Sequence, residues 1–255
     1  MNTVPQYNAT VMARVDIQPR LTIPQVKPDD LDFFFLPGQY TAFGLLDEVS
    51  GKIIKRAYSI SSGSVTREYV EFYIALVSDG ALTPRLFATS CGDRNFMVPR
   101  AKGLFTIGEV TKNQNLLMVA TGTGIAPYIS MLRSHVPDSP AQRIAVLHGA
   151  SYSWDLGYRN ELEELVGCND GFTYVPVISR PKESLDWKGM AGRIPAWLEN
   201  PELVKACGFG IDPESTHVFL CGNPGMIEDA TEIHTNKGFK ADKARDLGNL
   251  HMEKY

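Results

Sequence analysis

The fold is decided by the stretch Val119-Ala120-Thr121-Gly122-Thr123-Gly124-Ile125-Ala126-Pro127-Tyr128. An apolar run precedes it at residues 116–118, and residues 129–133 behind it have the pattern of a helix. A buried strand, a glycine-rich turn and a helix form the layout of a phosphate-binding element, because glycines let backbone N–H groups approach an anion closely. The spacing is not the full G-x-G-x-x-G, so a tight turn without a ligand is the alternative interpretation.

Downstream of this stretch, strand and helix patterns alternate, which predicts a doubly wound parallel sheet. Pro176 lies inside one predicted strand and indicates an edge or a bulge there. Gly238 is the predicted stop of the last helix. The predicted strands are 116–120, 143–148, 172–178 and 217–221, and the predicted helices are 126–135, 158–166, 194–199, 202–207 and 226–236.

Upstream, short strands at even spacing predict an antiparallel barrel or sandwich. The strongest strand candidate is 69–77, which is rich in aromatic and β-branched residues. The other candidates are strands 9–17, 55–60, 95–98 and 104–107, a buried-looking run at 31–36 and a short helix at 83–88. Near 109–115 the pattern changes from short strands to strands that alternate with helices. We therefore expect two domains, 1–110 and 111–255.

Composition excludes several classes of protein. The chain has 255 residues, 44% of them hydrophobic, and a net charge of -4, which offers no basic field for nucleic acid. No apolar run reaches the ~18 residues of a membrane helix. Residues 1–6 lack a signal-peptide pattern. The four cysteines are scattered without C-x-x-C, so we expect a cytoplasmic protein with no disulfide framework and no metal site; they are Cys91, Cys168, Cys207 and Cys221.

Arg56-Ala57-Tyr58-Ser59 is the first segment that could carry chemistry. On a strand, Arg56 and Tyr58 share one face, and Ala57 and Ser59 share the other. An arginine can pair with a pyrophosphate, a tyrosine ring can lie against a flat cofactor, and a serine hydroxyl can bond a ring nitrogen. The alternative is a surface arginine beside a half-buried tyrosine.

Two further turns could bind a ligand. In Asp79-Gly80-Ala81-Leu82-Thr83-Pro84, backbone N–H groups of Leu82 and Thr83 could face a phosphate, or Thr83 could simply cap a helix. In Cys221-Gly222-Asn223-Pro224, a cysteine falls at the carboxyl end of a strand, where open α/β sheets bind ligands. A lone cysteine is also a common buried residue. Residues 250–255 have the composition of a solvated tail.

Together these segments resemble the ferredoxin–NADP(+) reductase family. Arg56-Ala57-Tyr58-Ser59 matches its R-x-Y-S flavin motif, and residues 79–83 match the flavin-phosphate turn that follows. Residues 121–127 match its pyridine-nucleotide glycine motif, and residues 221–224 match its C-G-N/D-P motif. The H-x-A, S-R and G-R-I-P segments look like the bacterial branch, whereas Glu253-Lys254-Tyr255 is similar to the plastid-type E-x-Y ending.

The resemblance implies that the first half is an antiparallel β-barrel that holds FAD. Arg56 would pair with the pyrophosphate, Tyr58 would stack on the isoalloxazine, and Ser59 would bond near the flavin N5. Ala57 belongs to the same motif, Tyr73 would lie beside the flavin, and the turn of Ala81, Leu82 and Thr83 would contact phosphate. Thr121 would touch both the flavin and the nicotinamide ends of the site. Tyr255 would cover the other flavin face and move aside for hydride transfer.

The resemblance also implies that the second half binds NADP(H). Its candidate contacts are Gly122, Thr123, Gly124, Ala150, Ser151, Ser179, Arg180, Arg193, Cys221, Gly222 and Asn223. Cys221 and Glu253 would line the nicotinamide pocket, so with Ser59 and Tyr255 they are the catalytic candidates. Arg180 and Arg193 would clamp the 2′-phosphate, contributing roughly 3–6 kcal/mol together. Many bacterial members carry an arginine at the position of Ser151, which weakens the NADP prediction.

The implied function is electron exchange between NADP(H) and a one-electron carrier, ferredoxin or flavodoxin. The alternatives are an NADH-preferring flavin reductase of an oxygenase or other acceptor system, and a non-turnover electron-transfer subunit. An acidic carrier would need a basic docking surface near the flavin. The candidates for that surface are Lys52, Lys55, Arg94, Arg100 and Lys102.

Overall fold

The computed structural model describes residues 7–30, 32–108, 110, 113–135, 142–243 and 246–254. The chain forms two compact units. The first, here called the barrel unit, comprises Met1–Ile107 and Ala126–His135; the second, the sheet unit, comprises Gly108–Ile125 and Val136–Tyr255. Among the described residues, no helix is long and apolar enough to cross a bilayer.

In its described residues, the barrel unit contains seven strands and two helices. The strands are β1 (Ala9–Gln18), β2 (Leu21–Pro28), β3 (Tyr40–Asp47), β4 (Lys52–Ser59), β5 (Val70–Glu71), β6 (Ile74–Ala75) and β7 (Arg94–Met97). The helices are α1 (Thr83–Phe87) and α2 (Ala126–His135). The strand order is β4-β3-β7-β1-β2-β5, β6 also pairs with β2, and all neighbours are antiparallel.

The sheet of this unit closes into a barrel, as predicted. Just beyond the ends of β4 and β5, Ile60 forms an antiparallel bridge with Phe72. The next residue strengthens this join, because Ser61 N–H donates to Glu71 O at 2.8 Å. The two edge strands therefore meet, and the interior is filled by apolar side chains, with the Phe43 and Phe72 rings stacked 5.1 Å apart.

Three predictions for this half were wrong. Residues 69–77 do not form one strand, because the pairing with β2 is interrupted at Pro24, which has no N–H to donate. Residues 104–107 form no strand, and the Leu104 side chain is 95% exposed. In the run 31–36, Phe34 is 66% exposed and only Phe35 is buried, while residue 31 lies outside the described residues. Strands β2 and β3 were not predicted.

The sheet unit is built on a parallel sheet, as predicted, and its described residues contribute six strands to it. Its strands are β8 (Asn115–Thr121), β9 (Ile144–Ala150), β10 (Phe172–Ile178), β11 (Met190–Ala191), β12 (Thr216–Gly222) and β13 (Leu250–Lys254). Its helices are α3 (Arg159–Cys168), α4 (Ile194–Leu198), α5 (Pro201–Cys207) and α6 (Pro224–Asn236). β10 lies between β9 and β11 and pairs with β9 without a bulge, so the edge or bulge that Pro176 indicated was wrong; Pro176 is accommodated because the described pairing with β11 begins one residue later, at Val177.

The strand order β11-β10-β9-β8-β12-β13 reverses direction between β8 and β12. In open α/β sheets, ligands bind beyond the carboxyl ends of the strands at this reversal. Strand β13 was not predicted: residues 250–254 were interpreted as part of a solvated tail, but they pair in parallel with β12 along Val218–Gly222. We therefore expect a ligand site beyond the carboxyl ends of β8, β12 and β13.

Candidate functional site

The loops that follow β8 and β12 are in close contact. A Cβ atom on Gly124 would lie 2.4 Å from the Cys221 carbonyl oxygen. A Cβ atom on Gly222, whose φ is +132°, would lie 2.3 Å from Thr121 Oγ1. The Asn223 N–H donates to the same Thr121 Oγ1 at 2.8 Å. The glycine turn and the Cys-Gly-Asn turn therefore pack backbone to backbone, which only glycine allows here.

Asn223 has a structural task in this arrangement. Its side-chain oxygen accepts hydrogen bonds from the N–H groups of Gly225 (2.9 Å) and Met226 (3.3 Å), so it caps the start of α6. Caps of this kind stabilise a helix by about 1 kcal/mol. Asn223 is exposed, and its predicted contact with the nucleotide stays a prediction.

Cys221 and Glu253 are brought together by strand pairing. Cys221 lies opposite Glu253 in the β12–β13 ladder, and its Sγ is 3.9 Å from Glu253 Oε2. The thiol is buried and the carboxylate is half-buried. The predicted partner at the chain end, Tyr255, lies outside the described residues. Two of the catalytic candidates are thus neighbours at the carboxyl edge of the sheet.

His148 supports the glycine turn from inside the sheet unit. The ring is fully buried, with Nε2 3.3 Å from Gly122 O and Nδ1 3.2 Å from the Tyr174 hydroxyl. Burial lowers the pKa of His148 from 6.5 to about 4, so the ring is neutral at pH 7. Because Gly122 O can only accept, the single proton is on Nε2, and Nδ1 accepts from Tyr174. Sequence reasoning assigned His148 no role, since only strand register brings these groups together.

Acid is expected to destabilise the protein partly through His148. Between pH 6.5 and about 4 the unfolded imidazole binds a proton that the folded one does not, so this stability is complete above pH 6.5 and is lost as the pH falls. The loss is about 2 kcal/mol at pH 5. Urea unfolding of wild type and His148→Asn at pH 7.5 and 5.0 measures it, and the variant should lose about 2 kcal/mol less. Equal losses in both proteins would contradict the assignment, since His217 and His234, whose pKa values are also lowered to about 4, remain in both.

The two arginines predicted to bind phosphate lie at one edge of the sheet. Ile178 pairs with Ala191 in the β10–β11 ladder, and Arg180 and Arg193 follow these residues at the same offset. Both side chains are exposed. Ser151 follows Ala150, which pairs with Ile178 from the other side. The ends of β9, β10 and β11 therefore present these three side chains in a row.

Backbone hydrogen bonds tie the ends of β9 and β10 to each other. Ser179 N–H donates to Ala150 O, and Arg180 N–H donates to Ser151 O, each at 3.0 Å. The predicted contacts Ala150, Ser151 and Ser179 are thus consecutive partners in one short ladder of loop residues. Thr123 lies elsewhere, in the 3-10 turn Gly122–Ile125 that follows β8.

In the barrel unit, Arg56 and Tyr58 lie on the regular part of β4. The β3–β4 pairing has no bulge from Lys52 to Ser59, so the predicted alternation of faces holds. Tyr58 packs its ring 6.1 Å from that of Phe72, and burial raises the pKa of its hydroxyl to about 12. Arg56 is exposed and donates to the Lys55 carbonyl at 3.0 Å. The chain thus presents a guanidinium at the surface beside a half-buried ring.

The turn before α1 differs from the capped-helix alternative. The N-cap is Leu82, not Thr83, and no side chain caps it. The Thr83 hydroxyl instead accepts from Val77 N–H at 2.9 Å and donates to Val77 O at 3.1 Å. This closes the turn of residues 77–83, with Ala81 exposed and Leu82 buried. Tyr73, the remaining flavin candidate, is buried.

Comparisons with known proteins agree with this architecture. The oxidoreductase NAD-binding domain family matches residues 118–232. A flavodoxin/ferredoxin–NADP reductase of Buchnera aphidicola subsp. Baizongia pistaciae is 35% identical over 223 residues, 87% of this chain and 88% of that protein. One from Escherichia coli (strain K12) is 38% identical over 196 residues, 76% of this chain and 77% of that protein.

A solved structure is also similar. The crystal structure of a ferredoxin NADP+ reductase from Neisseria gonorrhoeae, with bound FAD and NADP, superposes with a TM-score of 0.86 at 26% identity and covers 97% of each chain. A closed antiparallel barrel together with a parallel sheet of this order defines a two-domain nucleotide-dependent oxidoreductase. The chain belongs to the flavodoxin/ferredoxin–NADP reductase family.

Proposed function

We propose that this chain exchanges electrons between NADP(H) and ferredoxin or flavodoxin, with FAD as the bound cofactor. The observation that carries the proposal is the close contact between the glycine turn and the Cys-Gly-Asn turn at the strand-order reversal. This contact stands where a nucleotide is expected to bind. The similarity to flavodoxin/ferredoxin–NADP reductases over most of both chains supports the choice of reaction.

The barrel half, residues 1–110, is proposed to hold FAD. The exposed Arg56 guanidinium is suited to a pyrophosphate, and the Tyr58 ring and the Ser59 hydroxyl are suited to the isoalloxazine. FAD, when bound, converts a two-electron hydride transfer into single-electron steps. The contributions of the chain are to bind the anionic group, to orient the ring and to limit water around it.

The second half, residues 111–255, is proposed to hold NADP(H). The backbone of the glycine turn would approach the pyrophosphate, because Gly122 has a φ of +54° and a Cβ atom there would meet none of the described atoms within 4 Å. Arg180 and Arg193 would bind the 2′-phosphate. Cys221 and Glu253 would border the nicotinamide, with the hydrophobic thiol excluding water.

The electron carrier is proposed to dock on exposed basic side chains of the barrel half. Lys52, Arg100 and Lys102 are exposed and fit this role. Arg94 fits it less well than the sequence indicated, because it donates to both Asp29 oxygens at 2.7 and 2.5 Å. Lys55 lies over the Phe96 ring at 5.2 Å but keeps its charge exposed. A cytoplasmic location suits these soluble carriers and is part of the proposal.

The test is to purify the full chain, identify the bound flavin and compare reduction of an artificial acceptor by NADPH and NADH. We expect FAD and a kcat/KM at least 100-fold higher with NADPH, since two charge-assisted contacts are worth roughly 3–6 kcal/mol. A preference for NADH would favour the flavin-reductase alternative. Ser151 is consistent with that alternative, because many bacterial members of the family carry an arginine at its position. Bound flavin without oxidation of either nucleotide would indicate the non-turnover subunit.

A further inference from the structure

Arg180 is held by an aromatic stack that sequence reasoning did not identify. Its guanidinium carbon lies 5.3 Å from the centroid of the Tyr152 ring, and its NH1 donates to the Tyr152 hydroxyl at 2.5 Å. The Tyr152 ring also stacks on the Trp154 ring, with centroids 4.8 Å apart and planes inclined by only 8°. Tyr152 therefore contacts both the Arg180 guanidinium and the Trp154 ring at the carboxyl edge of the sheet.

The backbone around this stack is also fixed. Arg180 N–H donates to Ser151 O at 3.0 Å, and Ser153 N–H donates to the Ser184 hydroxyl at 3.2 Å. The turn that carries Tyr152 and Trp154 is thus attached on both sides to the loop after β10. These hydrogen bonds hold the backbone that carries the two rings next to the backbone of Arg180.

Arg193, at the same carboxyl edge of the sheet, differs from Arg180 in its contacts. Its side chain is exposed, and within the described residues it makes no hydrogen bond or ion pair. A free arginine side chain loses rotamer entropy when it is immobilised on a ligand. A side chain already held in one orientation loses less, so it binds an anion more tightly for the same contacts. The two arginines are therefore not equivalent.

We propose that Tyr152, backed by Trp154, is a positioning residue that presents the Arg180 guanidinium to the 2′-phosphate of NADP(H). It sets the preference over NAD(H) in a chain that carries Ser151 where an additional arginine could have contributed. The tyrosine hydroxyl occupies one N–H of the guanidinium, which leaves its other N–H groups for phosphate oxygens. The inference rests on the proposed function, because it requires that NADP(H) binds at this edge.

The test is a double-mutant cycle in the FAD-loaded full chain, with calorimetric affinities for NADP+ and NAD+. Arg180→Gln should weaken NADP+ binding roughly 10- to 150-fold and leave NAD+ binding nearly unchanged. Tyr152→Phe keeps the ring but removes the hydroxyl, and it should weaken only NADP+ binding, about 3- to 10-fold. Combined with Arg180→Gln, Tyr152→Phe should have almost no further effect, whereas combined with Arg193→Gln it should keep its full effect.

Trp154 offers a conservative rescue. Trp154→Leu removes the flat ring that stacks on Tyr152 and should weaken NADP+ binding about 3-fold. Trp154→Phe keeps a flat ring there and should bind NADP+ as wild type does. Thermal unfolding of each variant separates this effect from a general loss of structure.

Different outcomes overturn different statements. If wild type binds NADP+ and NAD+ equally, the proposed 2′-phosphate site fails and the inference fails with it. If wild type prefers NADP+ but Tyr152→Phe changes nothing, weakens both nucleotides equally, or acts equally in the Arg180→Gln background, only the positioning role is overturned.

Discussion

Gly124→Ala is expected to destabilise the protein by about 3 kcal/mol and to abolish measurable NADP+ binding. The added Cβ would lie 2.4 Å from the carbonyl oxygen and 2.7 Å from the carbonyl carbon of Cys221, and 2.8 Å from the Cα of Gly222. These are backbone atoms at the end of a central strand, so they cannot rotate aside as a side chain would. The glycine turn must instead move away from the Cys-Gly-Asn turn. Urea unfolding and calorimetric binding of NADP+ measure the two effects.

Gly167→Ala is the matched control for this substitution. Gly167 lies in α3, and in the part of the chain that the structure describes a Cβ there would meet no atom within 4 Å. Alanine in a helix is favoured over glycine by up to about 1 kcal/mol, so stability should be unchanged or higher. NADP+ binding should equal that of wild type. If Gly124→Ala kept the stability and the NADP+ affinity of wild type, the two turns would not need their close contact.

Arg133→Met is expected to destabilise the protein by about 2–3 kcal/mol. Arg133 on α2 donates to Glu71 Oε1 at 2.7 Å and to Ser61 O at 3.0 Å. The Glu71 side chain is only 4% exposed and that of Arg133 is 28% exposed, so removal of the arginine leaves a buried carboxylate without its cation. Its remaining described contacts include the Gln25 amide at 3.0 Å. Urea unfolding at pH 7.5 measures the loss.

Two companion variants isolate the charge effect. Glu71→Gln in the Arg133→Met background removes the uncompensated charge and should recover about 1 kcal/mol. Lys205→Met breaks the exposed pair with Glu202, whose side chains are 72% and 58% exposed, and should change stability by less than about 0.5 kcal/mol. A loss no larger in Arg133→Met than in Lys205→Met would refute a structural role for the buried pair.

Local patterns were sufficient for α2 and for most of the sheet unit. Helix α2 was predicted at 126–135 and is found there, and strand β10 was predicted at 172–178 and is found there. Buried parallel strands and amphipathic helices leave strong signals because each is long and its environment is uniform. The barrel was predicted less well. β2 contains Pro24 and Pro28, which argue against a strand, yet its pairing with β1 forms one.

The sequence by itself determined the two-domain architecture, the turns that follow β8 and β12, and the family. Only the tertiary structure decided how individual residues act within those turns. It joined Asn223 N–H to Thr121 Oγ1, Gly122 O to His148 and Arg180 to Tyr152. These contacts depend on strand order and register, which place residues from different strands side by side, whereas a motif depends only on neighbours along the chain.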